Sequence, residues 1–117
     1  MNDVREILQK AQSGMANLAK EQGDAIRAFG GFDSAVCAKG AVDAKTKELI
    51  CVAVAAYARC EYCIVIHVYQ AYQAGATRDE ILEAALVATA LGGGPTMVYT
   101  ATLLQDAVNE FEQDFKK

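Results

Sequence analysis

Apolar positions recur along this chain at intervals of three and four residues, and no stretch shows the alternation of a half-buried strand. Val4, Ile7, Leu8, Ala11, Met15, Leu18 and Ala19 share one side of a helix predicted over residues 3–21. Asp3 followed by Glu6 fits a capping box at its start. A short helix or turn is predicted at 24–29, ending at Gly30-Gly31, and another at 32–38 before Gly40. Asp43 caps a third long helix over 44–58, charged at its beginning (Lys45, Lys47, Glu48) and nearly all apolar beyond, a pattern that places it in the core. A break near Ala58-Arg59 leads to a helix over 60–74 that stops at Gly75. Thr77 with Glu80 forms a capping box for a helix over 78–91. Gly92-Gly93-Gly94 ends it in a tight interhelical turn, Pro95 takes the first turn of the last helix, and that helix runs to about residue 114. A helix precedes the glycine triplet, so it lacks the strand-before context of a nucleotide-binding loop.

The predicted fold class is therefore all-α, a single domain over 1–117. The composition agrees: 53% hydrophobic residues, much of them Ala, with one Pro and no Trp, suit closely packed helices better than a sandwich of strands. A net charge of −4 without a basic cluster argues against a nucleic-acid surface. The polar N-terminus does not read as a signal peptide, and the apolar run 49–58 is far short of the roughly 20 residues that span a bilayer. The expectation is a cytoplasmic protein with no membrane partner. Apolar residues on more than one side of 81–91 and 97–108 also predict a homo-oligomer.

A reducing compartment changes the meaning of the four cysteines, which are then a poor match for a structural disulfide framework. Cys60 and Cys63 stand as C-x-x-C, and the sole histidine, His67, follows four residues on. At about 100° per residue the three fall within roughly 60° of one another on a helical face. One helical turn also supplies the roughly 4.4–6.8 Å Cα separation that a disulfide needs. Orphan N–H groups and the dipole at the helix start favour a thiolate on Cys60. The imidazole one turn on favours Cys63. The residues alone leave that choice open. Glu48, on the preceding helix, reaches the same face if the chain turns back on itself. Zinc is the rival use of such residues: Cys60, Cys63 and His67 offer three ligands, with Glu48 or Cys51 as a fourth. Cys37 and Cys51 otherwise read as small core hydrophobes.

Taken together, Glu48, eleven residues, Cys60-x-x-Cys63, three residues and His67 resemble the pattern of the carboxymuconolactone decarboxylase superfamily, in its alkylhydroperoxidase D (AhpD)-like branch. Lys45-Thr46-Lys47-Glu48-Leu49, the stretch from Ala74 to Glu83 and Gly92-Gly93-Gly94-Pro95 also fit, so that the likeness covers roughly 40–105. The resemblance implies an AhpD-like helical bundle that assembles into trimers or hexamers. It implies a thiol-dependent peroxidase or disulfide reductase acting on hydroperoxides, recharged by an external dithiol, lipoyl- or thioredoxin-type electron donor. It assigns Cys63 as attacking cysteine, Cys60 as resolving cysteine, and His67 with Glu48 as proton relay. No cofactor or catalytic metal is implied. Tyr62 stands where well-characterised members carry a second histidine, and a phenol is a far weaker base near neutrality. Two other functions fit parts of the sequence: a lactone decarboxylase, as in the branch without the thiol pair, and a non-enzymatic helical oligomer built round a structural zinc.

Overall fold

A computed structural model describes residues 3–116. Asp3 starts α1 (Val4–Glu21) by accepting the N–H of Arg5 at 2.8 Å, so the cap reaches the second helical residue rather than Glu6. α2 (Gly23–Cys37) is one continuous helix where two short ones were predicted. Gly30 and Gly31 stay in the helix because neither takes a positive φ. Glycine permits a helix stop without forcing one, at a cost of about 1 kcal/mol each.

α3 (Ala44–Ala58) begins where Asp43 accepts the Thr46 N–H at 2.7 Å, and it ends at Arg59, whose left-handed φ of 56° turns the chain back. α4 (Glu61–Gln73) then runs against α3. Gly75, at φ +93°, reverses the chain again. The predicted capping box forms: Glu80 N–H donates to Thr77 Oγ1 at 3.2 Å and Thr77 N–H to Glu80 Oε1 at 2.8 Å. It opens α5 (Arg78–Tyr99), which packs mainly along α3. Gly93 (φ 66°, ψ −152°) breaks the direction of α5, and Pro95 sits two residues on, where a new first turn needs no N–H.

One feature had no signal in the pattern. Residues Thr100–Leu104 form a π turn before α6 (Gln105–Glu112). Thr100 and Thr102 donate their hydroxyls to the carbonyls of Thr96 and Val98, at 2.9 and 2.7 Å, next to that irregular turn. No strand occurs among the described residues. The helical run Arg78–Glu112 is long and apolar enough, by length and composition, to cross a membrane. That run is interrupted at Gly93, whose φ and ψ are not helical, and it lies apart from the apolar segment 49–58.

The core is the meeting of α3, α4, α5 and α6. Val52 and Ala56, Ile64, Val65 and Val68, Ile81 and Ala85, and Leu104, Val108 and Phe111 are fully buried there. Small Ala55, Ala56 and Ala71 let the helices approach closely. α1 adds only Val4 and Ile7, and α2 buries nothing, with Phe29 and Phe32 63% and 66% exposed. Helices α3 and α4, which carry Glu48, Cys63 and His67, thus lie at the centre of the bundle, with α1 and α2 toward its outside.

Candidate redox site

Cys60 is the N-cap of α4 and Cys63 the third residue inside it. The C-terminal turn of α3 at Arg59 hands the chain directly to that cap, so the dithiol sits at the corner between the two core helices. The two sulfurs are joined as a disulfide, with a Cα separation of 5.2 Å, inside the range that one helical turn can bridge. Cys63 N–H donates to Cys60 Sγ at 3.2 Å. Helix-start N–H groups favour negative charge, so this contact stabilises charge on the cap sulfur whenever the bond is opened. Both cysteines are half-buried.

Glu48 and His67 meet as the turnback between α3 and α4 requires: Glu48 Oε1 lies 3.0 Å from His67 Nδ1. Their side chains are only 13% and 22% exposed, so the pair is shielded from bulk water. In the tautomer that donates from Nδ1 to the carboxylate, Nε2 is the ring nitrogen left to accept a hydrogen bond. Among the described residues His67 makes no hydrogen bond to either sulfur. Cys60, Cys63, His67 and Glu48 therefore form two separate pairs, a disulfide and a carboxylate–imidazole pair, with Cys63 and His67 one helical turn apart.

Tyr62, between the cysteines, is exposed and lines an open hollow of about 550 Å³ together with Arg59, Glu61 and the α1 residues Asp3, Glu6 and Lys10. α1 thus meets the residues that flank Cys60, at the turn into α4, a contact that no motif marked.

In this structure Cys60 and Cys63 are bonded to each other and do not stand as the thiolate ligands of the zinc arrangement raised above. Among the described residues the grouping of metal-ligating side chains is instead Cys37, Glu48 and Cys51, all half-buried, with ligand atoms within 4.8 Å of one another. Cys37 and Cys51, read above as separate core hydrophobes, are neighbours and unbonded. No motif signalled this, since Cys37 lies on a different helix and only Glu48 and Cys51 share helical spacing. Burial, then the charge of Glu48, pushes the Cys51 thiol up to about 11.

Fold and site together define an all-α bundle protein with a dithiol at a helix cap and a carboxylate–imidazole pair one turn behind it. The chain belongs to the carboxymuconolactone decarboxylase family, which residues 23–106 match; its thiol motif is consistent with the AhpD-like branch. An uncharacterised protein of Cupriavidus necator is 33% identical over 109 residues, covering 92% of this chain and 96% of its own. The apo crystal structure of a carboxymuconolactone decarboxylase family protein from Legionella pneumophila superposes with a TM-score of 0.85 at 34% identity, covering 97% of each chain. A Thermotoga maritima protein of the same family, for which involvement in an antioxidative response has been suggested, matches at 26% identity and a TM-score of 0.63, over 88% of this chain and 97% of its own.

Proposed function

We propose that this protein is a thiol-dependent peroxidase or disulfide reductase in which Cys60 and Cys63 carry two electrons and Glu48 with His67 moves protons. The observation that supports it most is the helix-cap disulfide one turn from a shielded carboxylate–imidazole pair. In the reduced state the Cys63 thiolate attacks the terminal oxygen of a hydroperoxide. The O–O bond breaks, the leaving alkoxide takes a proton relayed by His67, and Cys63 becomes a sulfenic acid. The Cys60 thiolate then attacks that sulfur, water leaves, and the disulfide forms. An external dithiol returns two electrons and two protons by exchange. The N–H of Cys63 at Cys60 Sγ supports Cys60 as the thiolate that resolves and later leaves.

The reading includes a cytoplasmic location, where such a donor is maintained, and a homotrimer or homohexamer assembled through the exposed apolar faces of α3 and α5. Its test is brief peroxide treatment of the reduced protein followed by mass measurement. Cys63→Ser is expected to abolish peroxide-driven oxidation, and Cys60→Ser to leave a trappable sulfenic acid on Cys63. Unchanged turnover in Cys63→Ser removes the assignment.

A further inference from the structure

We propose that Cys37, Glu48 and Cys51 form a second site that binds a zinc-class divalent cation through two thiolates and one carboxylate, with water in the fourth position. Their ligand atoms already lie within 4.8 Å of one another. Two sulfurs on one zinc stand about 3.8 Å apart at tetrahedral angles and Zn–S distances of about 2.3 Å, so small side-chain rotations close the set. The backbone holds this geometry. Glu48 and Cys51, three residues apart, share a face of α3. Cys37, the last residue of α2, is pinned over that face by Lys47, whose Nζ donates to the carbonyls of Val36 and Ala38 at 2.8 and 2.7 Å.

A disulfide is the other use of two neighbouring thiols, and it has no need of a carboxylate in the same cluster. Three groups that each carry a negative charge when ionised converge here, and a cation is what lets all three ionise together. Two sulfurs and an oxygen suit zinc, whereas magnesium and calcium select all-oxygen sets. Glu48 also holds His67 at 3.0 Å, so the carboxylate would touch the metal and the imidazole at once. The site shares Glu48 with the proposed proton relay, while Cys37 and Cys51 take no part in the peroxidase reading.

The test uses the Cys60→Ser/Cys63→Ser protein under reductant, in which Cys37 and Cys51 are the remaining thiols of the four. Titration with Co²⁺, then displacement by Zn²⁺, is expected to show one saturable site per chain with thiolate charge-transfer and tetrahedral bands. Two protons are released per metal as the thiols ionise. The ring signals of His67, the only histidine, are expected to shift on zinc addition. Adding Cys37→Ser should weaken binding by more than about 100-fold, since even outer-shell changes cost about 10–100-fold. Glu48→Gln should weaken it while keeping the thiolate band. Zinc should also protect Cys37 from alkylation, a readout that needs no further variant to fold. Absence of protection, binding unaffected by Cys37→Ser, or a Cys37–Cys51 disulfide that persists under reductant overturns the proposal.

Discussion

Cys60 and Cys63 differ in where each stands at the head of α4: one is the cap outside the helix, the other a residue within its first turn. That difference gives Cys60 the helix-start N–H and leaves Cys63 on the side of the imidazole. Cys51 is a thiol of another kind. Its titration is pushed up to about 11, chiefly by burial and next by Glu48, so the metal-free protein holds it as an unreactive thiol at neutral pH. Alkylation of Cys51 is expected to be slow at pH 7 and to quicken about tenfold per pH unit toward 11, as the thiolate fraction does. Peptide mapping after timed iodoacetamide treatment checks it, and labelling at the rate of an ordinary cysteine at pH 7 would contradict it. Gly92 shows a steric requirement at the same scale. An added Cβ would stand 2.8 Å from Thr96 Cβ and 3.1 Å from the Tyr57 ring, and Thr96 is buried. Gly92→Ala is expected to cost about 1–3 kcal/mol in chemical denaturation. Gly31→Ala, with nothing near its Cβ inside continuous α2, should gain about 1 kcal/mol instead.

At the scale of elements, α1 is fastened to the bundle by buried Val4 and Ile7 and, beside them, by a partly exposed ion-pair cluster at Arg5. Arg5 Nε meets Glu110 Oε2 at 2.6 Å and a guanidinium nitrogen meets Asp114 Oδ1 at 2.7 Å, across α6 and the turn after it. The Arg5 guanidinium holds the Asp114 carboxyl below the usual carboxylate range. A depressed carboxyl contributes stability above the unfolded value, near pH 4, and loses it as pH falls through the folded one. Docking of α1 is therefore expected to weaken in acid below about pH 4, and Asp114→Asn should blunt that loss. Amide exchange along α1 as a function of pH measures it; identical acid profiles for wild type and variant would count against the ion pair.

For the whole molecule, the distribution of apolar surface is uneven. Leu91 is 90% and Val87 71% exposed, and with Val54 and Tyr57 of α3 they line an apolar groove of about 230 Å³. Exposed apolar patches of this kind mark contact surfaces. The radius of gyration, 14.3 Å, exceeds the roughly 13 Å of a compact chain this long, as outlying α1 and α2 require. The assembly proposed above covers these surfaces with further copies. Light scattering is expected to give a multiple of the 12.5 kDa chain mass, and Leu91→Glu to lower it. A mass equal to one chain would set the assembly aside.

The residues alone determined the helical class, the bounds of α1, α3 and α4, and the capping box at Thr77, because these rest on local periodicity and hydrogen bonds within four residues. They also placed Cys63 and His67, four residues apart, on one side of a helix, while the structure puts Cys60 just outside it as the cap. Spacing made Glu48 a possible partner of that face and the likeness to a family gave it a role, but its meeting with His67 was decided by the left-handed turn at Arg59 that folds α4 back on α3. Cys37 came to Cys51 by the same kind of long-range packing, across a loop whose course no spacing encodes. The unbroken α2 and the π turn at Thr100 belong with it: glycine and threonine permit several local geometries, and their surroundings in the folded chain select one.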